Sequence, residues 1–383
     1  MMLGPILLAL MSFLFTVCSA CPQGEFSMLY STNITTNSTT NSTNHLDPRW
    51  YSVPDLRGMY IGPWPVTKYD AVNGNQAHIP YCYVDAWAVS NLAPLFGEVF
   101  SKFKEAIDQS ALDFVPDPDC KGVLECECSP NSNPNTLRIS GAPANGAKEG
   151  TRSDASCGFM YFSTEPGRHT VKIANYKWDD TAGHAEKVLE ATHEIAHVVG
   201  LDHEHQRPDR DVDLRFHCFA LRGAVQAYDK LEFAKDNPDK AEIPYPAECK
   251  DLHPIFCLDK HLCHNPTLAV QWKFSDMLPF TLGNLWPQNR DFQRGPDINT
   301  SPIDTDSITI YPSFAGAVKE GDSPIFPDDA VLLGVSRDDD KEFPIYTGGN
   351  ADPALAGLSA SDISRIVQLY PKNIVKISGS DGW

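Results

Sequence analysis

Apolar residues recur at the i, i+3, i+4, i+7 spacing of an amphipathic helix in three stretches of the chain. Each stretch therefore predicts a helix that packs one face against a core. The apolar positions are Leu92, Leu95, Phe96, Val99, Phe100, Phe103, Ala106 and Ile107 in the first stretch; Ala185, Val188, Leu189, Thr192, Ile195, Ala196 and Val199 in the second; and Ile363, Ile366, Val367 and Tyr370 in the third.

Residues that can cap a helix stand close to the start of each stretch. Asn91 precedes the first, Asp180 or Thr181 the second, and Ser359 or Ser361 the third. Their side-chain oxygens can accept hydrogen bonds from the backbone N–H groups of the first helical turn, which have no partner within the helix. These residues are therefore the predicted N-caps.

Short runs of apolar and β-branched residues predict one strand before the first helix and four strands between the first two helices. The predicted strands are 78–84, 114–115, 137–140, 158–162 and 169–173, with a Gly-, Ala- and Ser-rich loop at 141–156. We expect an α+β fold, with a mixed sheet and helices in an upper lobe. After Gly200 the chain is rich in proline and glycine. That half is predicted to be an irregular, disulfide-bonded lower lobe closed by the third helix.

The charge of the chain narrows its range of partners. Of 383 residues, 42% are hydrophobic, which is enough for a sizeable core, and the net charge is −19 with an isoelectric point near 4.9. Nucleic acids and anionic membranes are bound through basic patches. We therefore expect no nucleic-acid or membrane partner, and a monomer.

The N-terminal region carries signals of export. Residues 1–20 are uncharged, with an apolar run that ends in Cys18-Ser19-Ala20, which predicts a signal peptide cleaved after Ala20. Residues 31–44 are polar and of low complexity, so we expect them to be disordered. Glycosylation sequons begin at Asn33, Asn37, Asn41 and Asn299. The sequence thus predicts a secreted, extracellular glycoprotein.

Ten cysteines remain after removal of the predicted signal peptide: Cys21, Cys82, Cys120, Cys126, Cys128, Cys157, Cys218, Cys249, Cys257 and Cys263. An even number in a secreted chain favours disulfides. Cys126 and Cys128 are too close to pair comfortably with each other, so each is expected to pair elsewhere. A second zinc site built from Cys249, Cys257, Cys263 and His264 is the disfavoured alternative in an oxidising compartment.

The candidate chemistry lies in the sequence H-E-x-x-H-x-x-G-x-x-H, which spans residues 193–203. His193 and His197 are four residues apart, so on a helix both imidazoles project from one face and can bind one metal ion. Gly200 can adopt a positive φ that ends the helix and returns His203 as a third ligand. Three protein ligands leave one zinc position open for water, as in catalytic sites. Glu194, beside His193, is the predicted general base.

Residues 193–211 resemble the astacin family of metzincin metalloendopeptidases, with Glu204 and the R-P-D-R-D sequence at 207–211 as further points of similarity. Three more segments resemble that family in order. Residues 74–81 are similar to the start of its catalytic domain, 306–311 to its Met-turn and the following tyrosine, and 358–370 to its C-terminal helix. The resemblance implies a catalytic domain at 72–371, after an N-terminal region at 21–71 and before a tail at 372–383.

The resemblance also implies roles for single residues. Tyr311 would ligate zinc at rest and then stabilise the oxyanion, and Asp55 or Asp70 would occupy the zinc from a prosegment. Glu204 anchors the matured N-terminus in the family, although we expect it to form a structural ion pair here. The other histidines, His205, His217, His253, His261 and His264, are predicted to be surface or structural. The distance from His203 to Tyr311 implies an insertion within 215–300.

Two positions depart from the family pattern S-I-M-H-Y: Thr309 stands in place of the methionine and Ile310 in place of the histidine. Because Thr is shorter than Met, a void or a buried water is expected beneath the histidines, and Thr309→Met is expected to stabilise the protein.

The sequence therefore predicts a secreted Zn²⁺-dependent metalloendopeptidase that acts on proteins or peptides. The alternative is a catalytically weak or inactive zinc-binding homologue that binds a partner.

Overall fold

A computed structural model describes residues 61–66, 68–70, 74–130, 132–141, 153–161, 163–174, 183–282, 302–317, 330–350 and 352–372. The predicted signal peptide, the sequon asparagines, Asp55 and the predicted caps Asp180 and Thr181 lie outside the described residues. Within the described ranges, no helix combines the length and apolarity needed to cross a membrane. Contacts divide the chain into two compact units, one holding the described residues of 50–202, 306–309 and 347–383, the other those of 203–305 and 310–346.

The first unit contains a mixed sheet and a separate pair of short strands. The strands of this unit are β1 (Ile61–Gly62), β2 (Lys68–Asp70), β3 (Gly74–Tyr83), β4 (Leu112–Pro116), β5 (Leu137–Gly141), β6 (Asp154–Ala155), β7 (Phe159–Met160) and β8 (Thr170–Ile173). The sheet order is β2-β3-β5-β8-β6, and β4 also pairs with β3. The β3–β4, β3–β5 and β5–β8 pairs are parallel, whereas the β2–β3 and β6–β8 pairs are antiparallel. The predicted α+β class is confirmed.

Two of the predicted β-region assignments need correction. The predicted strand at 158–162 is reduced to β7, which pairs with β1 outside the main sheet. The predicted loop at 141–156 contains β6, whose residues Asp154 and Ala155 pair with Lys172 and Val171 of β8. Such short strands are defined by hydrogen bonds to a neighbour, so local composition does not reveal them.

The helix between β3 and β4 begins earlier than predicted. Helix α1 (Ala86–Lys102) is capped by Asp85, whose carboxylate accepts a hydrogen bond from the Ala88 N–H at 2.8 Å. Asn91, the predicted cap, lies inside α1 and donates from Nδ2 to the Trp87 carbonyl. A short helix, α2 (Lys104–Gln109), follows Phe103. The Asn91 prediction was wrong because the apolar stripe begins one turn after the helix itself.

The core of this unit lies between the sheet and two helices. Helix α1 buries Leu92, Leu95, Phe96 and Val99. Inward-facing strand residues, among them Ile79, Ile139 and Val171, are fully buried. Helix α1 also contacts helix α3 (His184–Val198), which carries the zinc motif. The motif helix is therefore held by the core of the sheet unit.

The second unit, which was predicted to be irregular and disulfide-bonded, also has regular elements. It contains α4 (Ala224–Asp236), α5 (Pro254–Lys260) and α6 (Pro266–Gln271). It also has a three-stranded antiparallel sheet in which β10 (Leu332–Val335) lies between β9 (Leu214–Phe216) and β11 (Glu342–Pro344). Proline at the first position of α5 and α6 starts these helices rather than breaking them. High proline content therefore did not exclude short helices in this unit.

Four disulfides link the described cysteines: Cys82–Cys128, Cys120–Cys126, Cys218–Cys263 and Cys249–Cys257. The prediction that Cys126 and Cys128 pair elsewhere is confirmed, and the three cysteines of the disfavoured second zinc site are all in disulfides. Cys157 is buried, and its Sγ lies 3.3 Å from Asp202 Oδ1. Cys21 lies outside the described residues.

Helix α7 (Ala360–Leu369) has the predicted Ser359 cap. The Ser359 side chain accepts from the Asp362 N–H and the Asp362 side chain accepts from the Ser359 N–H, which is a capping box. The predicted face was partly wrong: Ile366 and Tyr370 are buried, but Ile363 and Val367 are only half-buried. Asp362 and Arg365 are buried with Ile366 and Leu369. Asp362 can be buried because its carboxylate accepts tertiary hydrogen bonds.

Candidate metal centre

Helix α3 presents the motif and ends at the predicted glycine. It begins after Gly183, whose φ of 74° places it in the left-handed region. At the other end, Gly200 has a φ of 99°. The Gly200 N–H donates to the His197 carbonyl at 2.8 Å, and the Leu201 N–H donates to the Ala196 carbonyl at 2.9 Å. This pair of bonds is a Schellman motif, which confirms the predicted reversal of the chain after the helix.

The three predicted metal ligands come together. One nitrogen of each of His193, His197 and His203 lies within 4.8 Å of the others, and these residues form a group that can hold a metal ion. His193 is half-buried, whereas His197 and His203 are buried. All three come from the single stretch 193–203, so the helical period and the turn at Gly200 account for their convergence.

Backbone carbonyls fix the tautomers of two of these histidines. His193 Nδ1 lies 2.7 Å from the Ile308 carbonyl oxygen, and His197 Nδ1 lies 2.7 Å from the Leu201 carbonyl oxygen. A carbonyl oxygen can only accept, so each Nδ1 carries the proton and each Nε2 has a lone pair when the ring is neutral. Burial lowers the pKa of His193 to about 4, although the hydrogen bond to the Ile308 carbonyl and the charge of Glu190 both raise this pKa. The neutral form is the one that binds metal.

The donor set fits zinc. His193 Nε2 and His197 Nε2 lie 3.1 Å apart. With both protons on Nδ1, neither Nε2 can donate to the other, so two lone pairs converge at this point. Two imidazole nitrogens on one tetrahedral zinc ion with normal bond lengths lie about 3.3 Å apart. The observed separation matches that geometry, and a cation would remove the repulsion between the lone pairs.

Glu194 follows the first of these histidines on α3 and is only 8% exposed. Its position on the helix, one residue from His193, turns it about 100° away from that ring. Glu194 is thus a buried carboxylate one residue along α3 from His193, and its role as general base stays a prediction.

Tyr311 packs against the third histidine. Its ring centroid lies 4.7 Å from that of His203 and 4.3 Å from that of His205. The Tyr311 N–H donates to His205 Nδ1 at 3.3 Å, while His205 Nε2 donates to the Pro279 carbonyl at 2.9 Å. His205, which was predicted to be a surface or structural histidine, is fully buried. The role of Tyr311 as ligand and oxyanion stabiliser stays a prediction.

Glu204 forms the predicted structural ion pair. Its Oε1 lies 2.7 Å from Arg207 Nη1, and Arg207 Nη2 lies 2.8 Å from Asp209 Oδ2. Glu204 Oε1 also accepts from the Asp304 N–H at 3.2 Å. Arg207 is fully buried. Because breaking a buried pair leaves an uncompensated charge, loss of either partner is expected to destabilise the chain just after His203.

A polar network that the sequence did not predict connects the 306–309 segment to α7. Asp362 Oδ1 accepts from Ser307 Oγ at 2.8 Å, and Asp362 Oδ2 accepts from the Ile308 N–H at 2.8 Å. Thr309 Oγ1 lies 3.0 Å from Ser307 Oγ. Ile308 is thus held on its N–H by Asp362 while its carbonyl accepts from His193. The Ser359 cap was predicted from the sequence, but this tertiary role of Asp362 was not.

These contacts change the expectation for Thr309. It is 1% exposed, and its hydroxyl makes a specific hydrogen bond, so the gain predicted for Thr309→Met is withdrawn. We expect Thr309→Val, which keeps the shape and removes the hydroxyl, to lower the free energy of unfolding by about 1 kcal/mol. Thr309→Met should cost more, about 1–3 kcal/mol, because it overpacks a buried position.

Denaturant unfolding of the purified variants checks this prediction, with Thr164→Val at an exposed position as the matched control. An increase in stability for Thr309→Met would show that the hydrogen bond to Ser307 matters less than packing.

Comparison with known proteins agrees with the motif. Residues 183–248 match Astacin, a peptidase family, which confirms the resemblance over that stretch. Astacin-family metalloproteases use Zn²⁺, as predicted for this chain. No curated protein gives a match.

Two solved structures are similar to the chain at low identity. One is the high choriolytic enzyme 1, a hatching enzyme zinc-protease from Oryzias latipes (medaka fish), at 14% identity and a TM-score of 0.38, with 80% of this chain and 94% of that chain covered. The other is myroilysin, at 15% identity and a TM-score of 0.37, with 82% of this chain and 97% of that chain covered.

Proposed function

We propose that this chain, an astacin-type zinc metalloprotease by its match at residues 183–248, is an active secreted endopeptidase that hydrolyses peptide bonds of protein substrates. The observation that carries the proposal is the convergence of His193 Nε2 and His197 Nε2 at 3.1 Å, with His203 completing the group. Glu194, which is buried and follows His193 on α3, is proposed to supply the carboxylate that the chemistry requires. The four disulfides support secretion, because disulfides persist in oxidising compartments.

Each site residue has a defined part in the proposed reaction. His193, His197 and His203 hold zinc, which when bound polarises the peptide carbonyl and lowers the pKa of water toward about 7. Glu194 accepts a proton from the attacking water and then donates it to the departing amine nitrogen. Tyr311, packed on the His203 ring, is proposed to donate its hydroxyl proton in a hydrogen bond to the oxyanion.

The proposal is tested by metal removal. We expect the purified protein to digest casein, and 1,10-phenanthroline to abolish digestion by removing the metal. The isomer 1,7-phenanthroline, which cannot chelate, is the matched control and should leave the rate unchanged. Adding back one equivalent of zinc should restore the rate.

Two results contradict the proposal in different ways. Digestion that persists after removal of all metal would show that the protein is not a metalloprotease. A full equivalent of zinc without digestion of casein or of mixed peptide substrates would favour the alternative, a zinc-binding homologue that has lost activity.

A further inference from the structure

The end of the zinc-motif helix is held by a residue from before the predicted catalytic domain. The carbonyl groups of residues 196–199 close α3, and such terminal carbonyls have no partner within the helix. All four have donors: Leu201 N–H to Ala196, Gly200 and Gly158 N–H to His197, Trp64 Nε1 to Val198, and Tyr370 Oη to Val199. Two of these donors are side chains distant in sequence.

Trp64 is the one of the two that lies before the predicted catalytic domain. Its indole Nε1 donates to the Val198 carbonyl at 2.8 Å, and its backbone N–H donates to Tyr370 Oη at 3.2 Å. Tyr370 Oη in turn donates to the Val199 carbonyl at 3.0 Å. Trp64 and Tyr370 are both essentially inaccessible to solvent. They therefore form one buried hydrogen-bonded pair against successive carbonyls at the end of α3.

The segment that carries Trp64, residues 61–64, is held by strand pairing, a hydrogen bond and aromatic packing. Strand β1 pairs antiparallel with β7, where Ile61 is opposite Met160 and Gly62 opposite Phe159. The Pro63 carbonyl accepts from Tyr161 Oη at 2.7 Å. The Trp64 ring packs on Phe159, with centroids 5.2 Å apart, and on His169, with centroids 4.6 Å apart. We call residues 61–64 the N-terminal strap.

The carbonyls that accept from Trp64 and Tyr370, those of Val198 and Val199, lie just before the turn at Gly200 that positions His203. Leu201, two residues after Val199, accepts from His197 Nδ1 through its own carbonyl at 2.7 Å. His203 follows two residues later. A rotation of the Val198 or Val199 peptide would therefore displace the Leu201 carbonyl that orients His197. It would also displace the first residues of the turn that leads to His203.

We propose that the N-terminal strap stays in the mature protein as part of the structure that binds the metal, and that Trp64 is a positioning residue for His197 and His203. The inference deepens the proposed function, since it concerns the same metal group. The strap precedes residue 72, so a mature protein that begins there would lack Trp64. Trp64 touches no candidate ligand and acts only through the backbone at the end of α3.

Metal binding without substrate tests the proposal. Zinc affinity of the full chain is measured by competition with a chromophoric chelator, and the geometry of the site by the visible spectrum of the cobalt-loaded protein. We expect Trp64→Phe to weaken zinc binding about tenfold, the lower end of effects from groups that orient metal ligands, and to alter the cobalt spectrum. Tyr370→Phe, which removes only the hydroxyl, should shift both readouts in the same direction.

Tyr161→Phe is the matched control. It removes a hydroxyl that bonds the strap at Pro63 and leaves the donors to α3 in place. We expect its zinc affinity to stay within about twofold of the parent, because the orienting bonds survive. If Trp64→Phe does not fold, the positioning role is tested by comparing the zinc affinity and cobalt spectrum of Tyr370→Phe with those of Tyr161→Phe.

The outcomes separate this inference from the proposed function. Parental zinc affinity and cobalt spectra in both Trp64→Phe and Tyr370→Phe would overturn the positioning role while leaving the protease proposal intact. An equal loss of affinity in Tyr161→Phe would also overturn it, because the effect would then be general destabilisation. A parent protein that binds no zinc would overturn both.

Discussion

A Glu194→Gln variant is expected to keep one equivalent of zinc and to lose about 10²- to 10⁴-fold in turnover, the usual contribution of a positioned general base. The three histidines and the carbonyls that orient them are untouched, so the metal group should be unchanged. The amide of glutamine is close in shape to a carboxylate but cannot accept the proton of water. Turnover on a fluorogenic peptide and elemental analysis of zinc measure the two halves of the prediction.

Glu186→Gln is the matched control for this experiment. Glu186 lies on the same helix, α3, but its side chain is exposed to solvent. The control should retain parental turnover, because it changes the charge of the helix by the same amount away from the histidines. Parental turnover in Glu194→Gln would instead show that another group accepts the proton.

Replacing His203 by alanine is expected to remove zinc and, with it, activity. His203 is the ligand that depends on the turn at Gly200, and its loss leaves the two histidines of α3. Because binding by two nitrogen ligands is much weaker than by three, we expect zinc occupancy to fall well below one equivalent after dialysis against a weak chelator. Activity should fall in proportion to occupancy.

His264→Ala serves as the control for the loss of a histidine, since His264 is exposed and outside the metal group. It should retain full zinc and full turnover. A complete equivalent of zinc in His203→Ala would mean that a different side chain is the third ligand, and the assignment of His203 would fail.

Features of the fold that depend on nearby residues were predictable. The spacing of His193 and His197, the positive φ of Gly200, the Ser359 cap and the positions of β4, β5 and β8 all follow from local backbone geometry and side-chain periodicity. In each case the determining residues lie within about two helical turns of one another, so the chain itself carries the information.

Predictions failed where a local signal had two interpretations. Asn91 and Asp85 are both capping residues, and only the structure shows that α1 begins at the earlier one. The prolines of 254 and 266 start helices, although proline content alone indicated irregular chain. Asp362 and Arg365 are buried although periodicity placed Ile363 and Val367 on the inner face of α7.

The sequence by itself determined the metal group, because three histidines within eleven residues are brought together by one helix and one turn. The tertiary structure decided how that group is oriented. The Ile308 carbonyl fixes His193 from 115 residues away, and the Trp64 indole holds the end of the helix from 134 residues away. Such contacts depend on where distant segments pack, and no periodicity along the chain encodes that, because a backbone carbonyl accepts hydrogen bonds whatever its side chain.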